Sequence, residues 1–196
     1  MRINTNLNAM IATNQMSKNT ALAGSSMEKL STGLRITKAG DDAAGLAVSE
    51  KMRAQIRGME QAERNVQDGI SMVQTAEGAL EEAGNIAQRM RELGIQAGND
   101  TLSDDDRTKV KEELKQLQDE MKKISEETKF NGKQLLNAAG TFTIQAGANS
   151  ETRKIETADL SSIANGLSTI SVSSSTDAQG FVTKVDNALK LINNAR

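Results

Sequence analysis

Histidine, cysteine, proline, tryptophan and tyrosine are all missing from this 196-residue chain, and phenylalanine occurs only three times. Without cysteine there is no disulfide framework and no zinc–thiolate cluster, so packing alone must hold the fold. Without histidine or cysteine the commonest general base, the usual metal nitrogen donor and the thiolate nucleophile are absent. The expectation is a non-enzymatic chain with no catalytic, cofactor-binding or metal-ligating residue. Long apolar runs are also missing. The start, "MRINTNLNAMIATNQMSKN", is not a cleavable secretory signal, and no segment approaches the roughly 20 apolar residues of a membrane span. The formal net charge is −2 with the two signs interspersed, and stacking aromatics are scarce, which argues against a nucleic-acid partner as well as a membrane one. Apolar residues make up 37% of the chain, below the roughly 45–50% of compact domains, which favours an elongated helical body.

What remains reads as helix. Residues 4 to about 31 carry a thin, Asn-rich apolar face (Ile3, Leu7, Met10, Ile11, Leu22, Met27, Leu30) that predicts a helix in need of partners. From Ala44 to about Ala97, Met52, Ile56, Met59, Glu63, Val66, Ile70, Val73, Glu77 and Leu80 alternate spacings of four and three, the pattern of a coiled-coil seam. It shifts phase after Leu80 and resumes at Ile86, Met90, Leu93 and Ala97. On this reading Met52, Met59, Met90 and Met121 are core and Met72 falls beside the seam. "AGNDTLSDDD" stops one helix and starts another, with Ser103 as N-cap and three acids on the positive end of the next helix dipole. Val110, Leu114, Leu117, Met121 and Ile124 continue the pattern, which predicts an antiparallel helical hairpin.

The period then changes. "KFNGK" marks a turn, and Phe142 and Ile144, then Ile155 within Arg153 to Thr157, alternate as in a small β-hairpin. Residues 161–177 are Ser-rich and read as a linker. Phe181, Val185, Leu189 and Ile192 outline a last helix. The fold class is mainly α: long coiled-coil-like helices in an antiparallel hairpin, with a small β-hairpin.

"GLRITKAGDDAAG" lies between two helices and raises the question of a ligand loop. A phosphate loop needs a Gly-rich turn followed by Lys-Ser or Lys-Thr, and a calcium loop needs alternating acids ending in Glu; neither spacing is present. Asp41 and Asp42 read instead as a helix start, one capping the helix and both favouring its dipole. Gly40 falls in the turn, and its replacement by Ala should harm assembly of a complete subunit. Gly45 falls inside the helix and should accept Ala.

Taken together, "MRINTNLNAM", "MEKLSTGLRITKAGDDAAGLAVSEKMRAQIRG", "NVQDGISMVQTAEGAL", "QRMREL" and "FNGKQLL" resemble, in order and spacing, the amino-terminal signature of the bacterial flagellins over residues 1 to about 136, and "FTIQAGAN" resembles their β-hairpin. The hook-filament junction protein shares the architecture but departs more from these motifs. The resemblance implies a structural subunit of the flagellar filament, for motility. Residues 1–45 would form the terminal-helix domain and spoke, with Gly33, Gly40, Asp41, Asp42 and Gly45 at the joint, and residues 46–196 a rod domain incomplete at its carboxy end. It implies other flagellin subunits and the flagellar type III export apparatus as partners, with a secreted, extracellular destination. It also matches Arg89, Leu93 and Glu113 to positions with which flagellins engage the flagellin-sensing Toll-like receptor. Family members continue past the last helix here, so the seams of 46–97 and 110–124 are expected to be partly exposed.

Overall fold

The computed structural model describes residues 6–196, and Ile3 with the start of the expected first helix lies outside them. Nine elements follow in order: α1 (Leu7–Thr32), α2 (Ala43–Ala97), α3 (Asp104–Glu127), β1 (Lys129–Phe130), β2 (Lys133–Gln134), β3 (Gly140–Gln145), β4 (Thr152–Thr157), α4 (Leu160–Gly166) and α5 (Ser175–Ala195). The chain divides into two compact units, Met1–Arg57 and Gly58–Arg196, the division falling inside α2.

In the first unit α1 starts where the Asn6 side chain accepts the backbone N–H groups of Asn8 and Ala9, and ends at Gly33, whose φ of 66° is the left-handed conformation of a helix C-terminus. None of its 26 residues is buried.

The second unit holds the core. In α2 the buried face is built on Ala62, Gly69, Ala83, Met90 and Ala97, with Ala76 partly buried among them, a seven-residue repeat; Met72, Leu80, Ala87, Leu93 and Gly94 are buried beside it. Leu80, Met90, Leu93 and Ala97 are buried as expected, and the seam expected before Leu80 is corrected. The repeat runs unbroken through Leu80, with no phase shift, on a face made mostly of small residues. Met59, Ile70 and Val73 are exposed, as are Met52 and Ile56 in the first unit, whereas Met72 is buried. Small side chains admit close neighbours. A Cβ on Gly69 would collide with Ile144 of β3, and one on Gly94 with Val182 and Phe181 of α5.

Ser103 caps α3 by accepting the Asp106 N–H, and Asp104, Asp105 and Asp106 occupy the first turn. Val110, Leu114 and Met121 are buried, with Leu117 and Ile124 partly so, so the seam expected to be partly exposed is largely covered within the chain. Cover comes from α4, where Gln118 donates to the Ala164 carbonyl, and from the rest of the core. The carboxy end of α2 is closed from two sides. Arg107 of α3, itself buried, donates to the carbonyls of Ala97 and Asn99, and Ser175 of α5 donates to that of Gly98 at 2.9 Å. These are carbonyls that an α-helix leaves without an internal partner.

β1 and β2 pair antiparallel around the two-residue loop Asn131-Gly132, both at positive φ. β3 and β4 form the expected hairpin, with Phe142 opposite Ile155 and Ile144 opposite Arg153. Residues 161–177 are not a linker. Asp159 caps α4, and Leu160, Ala164, Leu167 and Val172 are buried, so the spacing of these apolar residues outweighs the serine content. In α5 Ala178, Phe181, Val185, Ala188 and Ile192 face the core. Arg91 meets Asp186 at 2.7 Å while Arg196 meets Glu77 and Glu81, so α5 runs antiparallel to α2.

Candidate functional site

The joint between α1 and α2 is a folded loop. The backbone N–H and hydroxyl of Thr37 both donate to the Asp41 carboxylate, at 3.3 and 3.2 Å. Lys38 reaches back to Glu28 of α1 at 2.9 Å, and Lys29 approaches Asp41 at 3.9 Å. The Thr37 N–H, then Lys29, hold the Asp41 carboxyl below its ordinary value, and Glu28 raises that of Lys38. Asp42 stands at the N-cap of α2, its carboxylate accepting the Gly45 N–H at 2.9 Å and its carbonyl that of Leu46.

Gly40 and Gly45 sit in different surroundings. A Cβ on Gly45 would crowd the Asp42 carboxylate and the end of the Ile36 side chain, both of which would have to move aside. Gly40 has open surroundings and no positive φ, so Ala fits there. The left-handed backbone belongs to Gly33.

In the second unit the exposed Arg89 of α2 and the half-buried Glu113 of α3 are joined across the hairpin at 2.9 Å, with Glu92 as a second partner of Arg89 at 3.2 Å. Hydrogen bonding to Glu113 raises the Arg89 pKa further. Leu93 does not share that exposure. It is 2% exposed, part of the core beneath the pair. The resemblance groups these three residues; the structure brings together the charged two at the surface.

Exposed apolar side chains are the other feature. On α1 they are Leu7, Met10, Ile11, Met16, Leu22, Met27 and Leu30. On α2 they are Val48, Met52 and Ile56 in the first unit and Met59, Ile70, Val73 and Ile95 in the second. Ile70 and Val73, with Val66 and Gly69, line an apolar groove whose other wall is Ile144 and Ile155 of the hairpin. Met52, Ile56, Met59, Ile70 and Val73 belong to the seam expected over 46–97, and their exposure agrees with the expectation that this seam is partly exposed. Among the described residues no group of three or more His, Cys, Asp or Glu could hold a metal ion, and no helix is long and apolar enough to cross a membrane.

The family described as "Bacterial flagellin N-terminal helical region" matches residues 3–141. A flagellin of Halalkalibacterium halodurans is 48% identical over 200 residues, covering 100% of this chain and 74% of the relative. A flagellin of Bacillus subtilis is 54% identical over 146 residues, covering 74% of this chain and 47% of the relative, and one of Clostridium tyrobutyricum is 46% identical, covering 91% and 47%. The chain thus spans about three-quarters of the first of these relatives and about half of the other two. The crystal structure of Bacillus cereus flagellin superimposes with a TM-score of 0.62 at 33% identity, covering 68% of this chain and 78% of that one. On the family match over residues 3–141 and the relative that agrees over this chain's full length, the chain belongs to the bacterial flagellins, structural and non-enzymatic proteins of the extracellular flagellar filament.

Proposed function

We propose that the chain works as a structural subunit of the flagellar filament, with residues 1–45 as terminal helix and spoke and residues 46–196 as rod domain. The observation that carries this is α1, a 26-residue helix with seven exposed Leu, Ile and Met side chains and no buried residue. A weak apolar stripe on an isolated helix does not offset the entropy of ordering it. Burial against neighbouring subunits would supply roughly 1.5–3 kcal/mol for each such side chain fully covered. The test is co-sedimentation of labelled chain with filaments growing from a related flagellin. Incorporation is expected for the parent and loss of it for Met10→Asp with Leu22→Asp, whose second-unit melt should be unchanged. Equal incorporation of parent and double variant would refute the reading. Delivery unfolded through the flagellar type III export apparatus belongs to the same proposal, and deletion of residues 6–33 should abolish it.

A second reading, recognition by the flagellin-sensing Toll-like receptor, is favoured by the exposed Arg89 held in place by Glu113. Arg89 and Glu113 would touch the receptor, and Leu93 would support them from below. In a reporter-cell assay Arg89→Ala should lower signalling without lowering the melting temperature. Equal signalling would remove the idea.

A further inference from the structure

Two Asn-Gly pairs occur in the chain, Asn131-Gly132 and Asn165-Gly166, and the fold treats them differently. Asn131 is exposed, at φ 49°, in the two-residue loop between β1 and β2, and it is the one non-glycine residue with positive φ among the described residues. Nearby amides are engaged: Gln134 donates to the Glu126 carbonyl and Asn137 to Gln134. Among the described residues no side-chain hydrogen bond engages Asn131. Gly132 follows it exposed, and with no Cβ it leaves its own peptide nitrogen unshielded. Asn165 and Gly166 instead form the last turn of α4, tied by the Leu167 and Ser168 N–H groups to the carbonyls of Ala164 and Asn165.

We propose that Asn131-Gly132 is a self-modification site at which the folded chain slowly deamidates without an enzyme. The Gly132 nitrogen gives up its proton and attacks Cγ of Asn131, forming a five-membered imide as the side-chain amide nitrogen leaves with protons as ammonia. Water then opens the imide at one carbonyl or the other, giving aspartate or isoaspartate. Amide and water become carboxylate and ammonium; nothing is oxidised or reduced. At Asn165 the same closure needs the helix turn to unwind first, since it holds the backbone in a fixed geometry.

The product differs from the parent in charge and in shape. A carboxylate appears between Lys129 and Lys133. In the isoaspartate form the main chain passes through Cβ, so the loop lengthens and the pairs Lys129 with Gln134 and Phe130 with Lys133 lose their register. Leu135 and Leu136, fully buried, follow immediately, so the change acts on the anchor of the segment leaving α3. This inference is independent of filament assembly.

The test is to age the folded chain in mildly alkaline buffer, digest it with trypsin at reduced pH, and follow the amide-to-acid conversion in the 130–133 and 155–184 peptides. Isoaspartate is counted by isoaspartyl methyltransferase labelling. Asn131 should convert about tenfold or more faster than Asn165, each tenfold corresponding to ~1.4 kcal/mol of helix opening, and the two rates should converge in denaturant. Asn131→Asp should remove the fast release of ammonia. Equal rates in the folded chain, or an Asn131 as inert as Asn165, would overturn the proposal.

Discussion

Two helical regions behave in opposite ways. Over residues 7–32 the large apolar side chains are Leu, Ile and Met, and none is buried. Over residues 62–97 the face that matters is largely Ala and Gly, and it lies in the core. Side-chain hydrophobicity therefore does not decide burial here; the presence of a packing partner does. The second region has β3, β4, α3, α4 and α5 as partners within its own unit, and glycines that let Ile144 and Phe181 approach closely.

Leu114→Ala attacks this contrast hardest. It should cost about 2–5 kcal/mol in the melt of the second unit, because a fully buried side chain leaves a cavity. Leu22→Ala, at a site 67% exposed, should leave that melt unchanged. A similar loss from both would erase the distinction between the regions.

Next come the glycines. Gly69→Ala should destabilise by roughly 1–3 kcal/mol by driving a methyl into Ile144. Gly78→Ala, two turns on with open surroundings, should stabilise by about 0.4–1 kcal/mol. Chemical denaturation separates them, and effects of the same sign would mean that packing does not set the small-residue face.

Smaller effects are expected in the first unit. Asp42→Ala should cost about 0.5–2 kcal/mol of helix stability at the start of α2, read as faster amide exchange over residues 43–48. Gly40→Ala should leave exchange there unaltered, and Gly45→Ala should raise it.

The smallest is a pH effect. The folded-state pKa of Asp41 is lowered, chiefly by the Thr37 N–H, and that of Asp106 is lowered chiefly by the Ser103 hydroxyl. A lowered carboxylate pKa contributes stability above the ordinary aspartate value, and the contribution is lost as pH falls through the depressed one. Acid should therefore loosen the joint over residues 34–41 while α3 stays docked through Val110 and Leu114. Amide exchange against pH should show a step over residues 34–41 that Asp41→Asn flattens; an unchanged step would assign it to another group.

Much of this fold was legible in the sequence. Ser103 with its three acids, the Asn131-Gly132 loop and the alternation around Phe142 and Ile155 are local signals, and each names its own element. The carboxy-terminal part of the α2 face, Leu80, Met90, Leu93 and Ala97, is legible, whereas its earlier part rests on small residues rather than on Met59, Ile70 and Val73. Ala62, Gly69, Ala76, Ala83, Met90 and Ala97 keep a seven-residue spacing that was there to be found, but alanine and glycine gain too little from burial to mark a face by themselves. Serine content hid α4 although Leu160, Ile163, Ala164 and Leu167 have helical spacing. The pairing of Arg89 with Glu113 joins residues 24 apart on different helices, and only the resemblance put them together. No local pattern specifies that Gly45 touches both Asp42 and Ile36.

The closure of the α2 carboxy end also carries a consequence for the order of folding. Arg107 reaches the Ala97 carbonyl across 10 residues of chain, whereas Ser175 reaches the Gly98 carbonyl across 77. Closing the longer loop costs about 2 kcal/mol more in chain entropy. The α2–α3 turn should therefore be tied early, and α5 should arrive last, completing a helix end already half satisfied. Stopped-flow refolding of Arg107→Ala should slow the first phase, and Ser175→Ala should alter mainly unfolding.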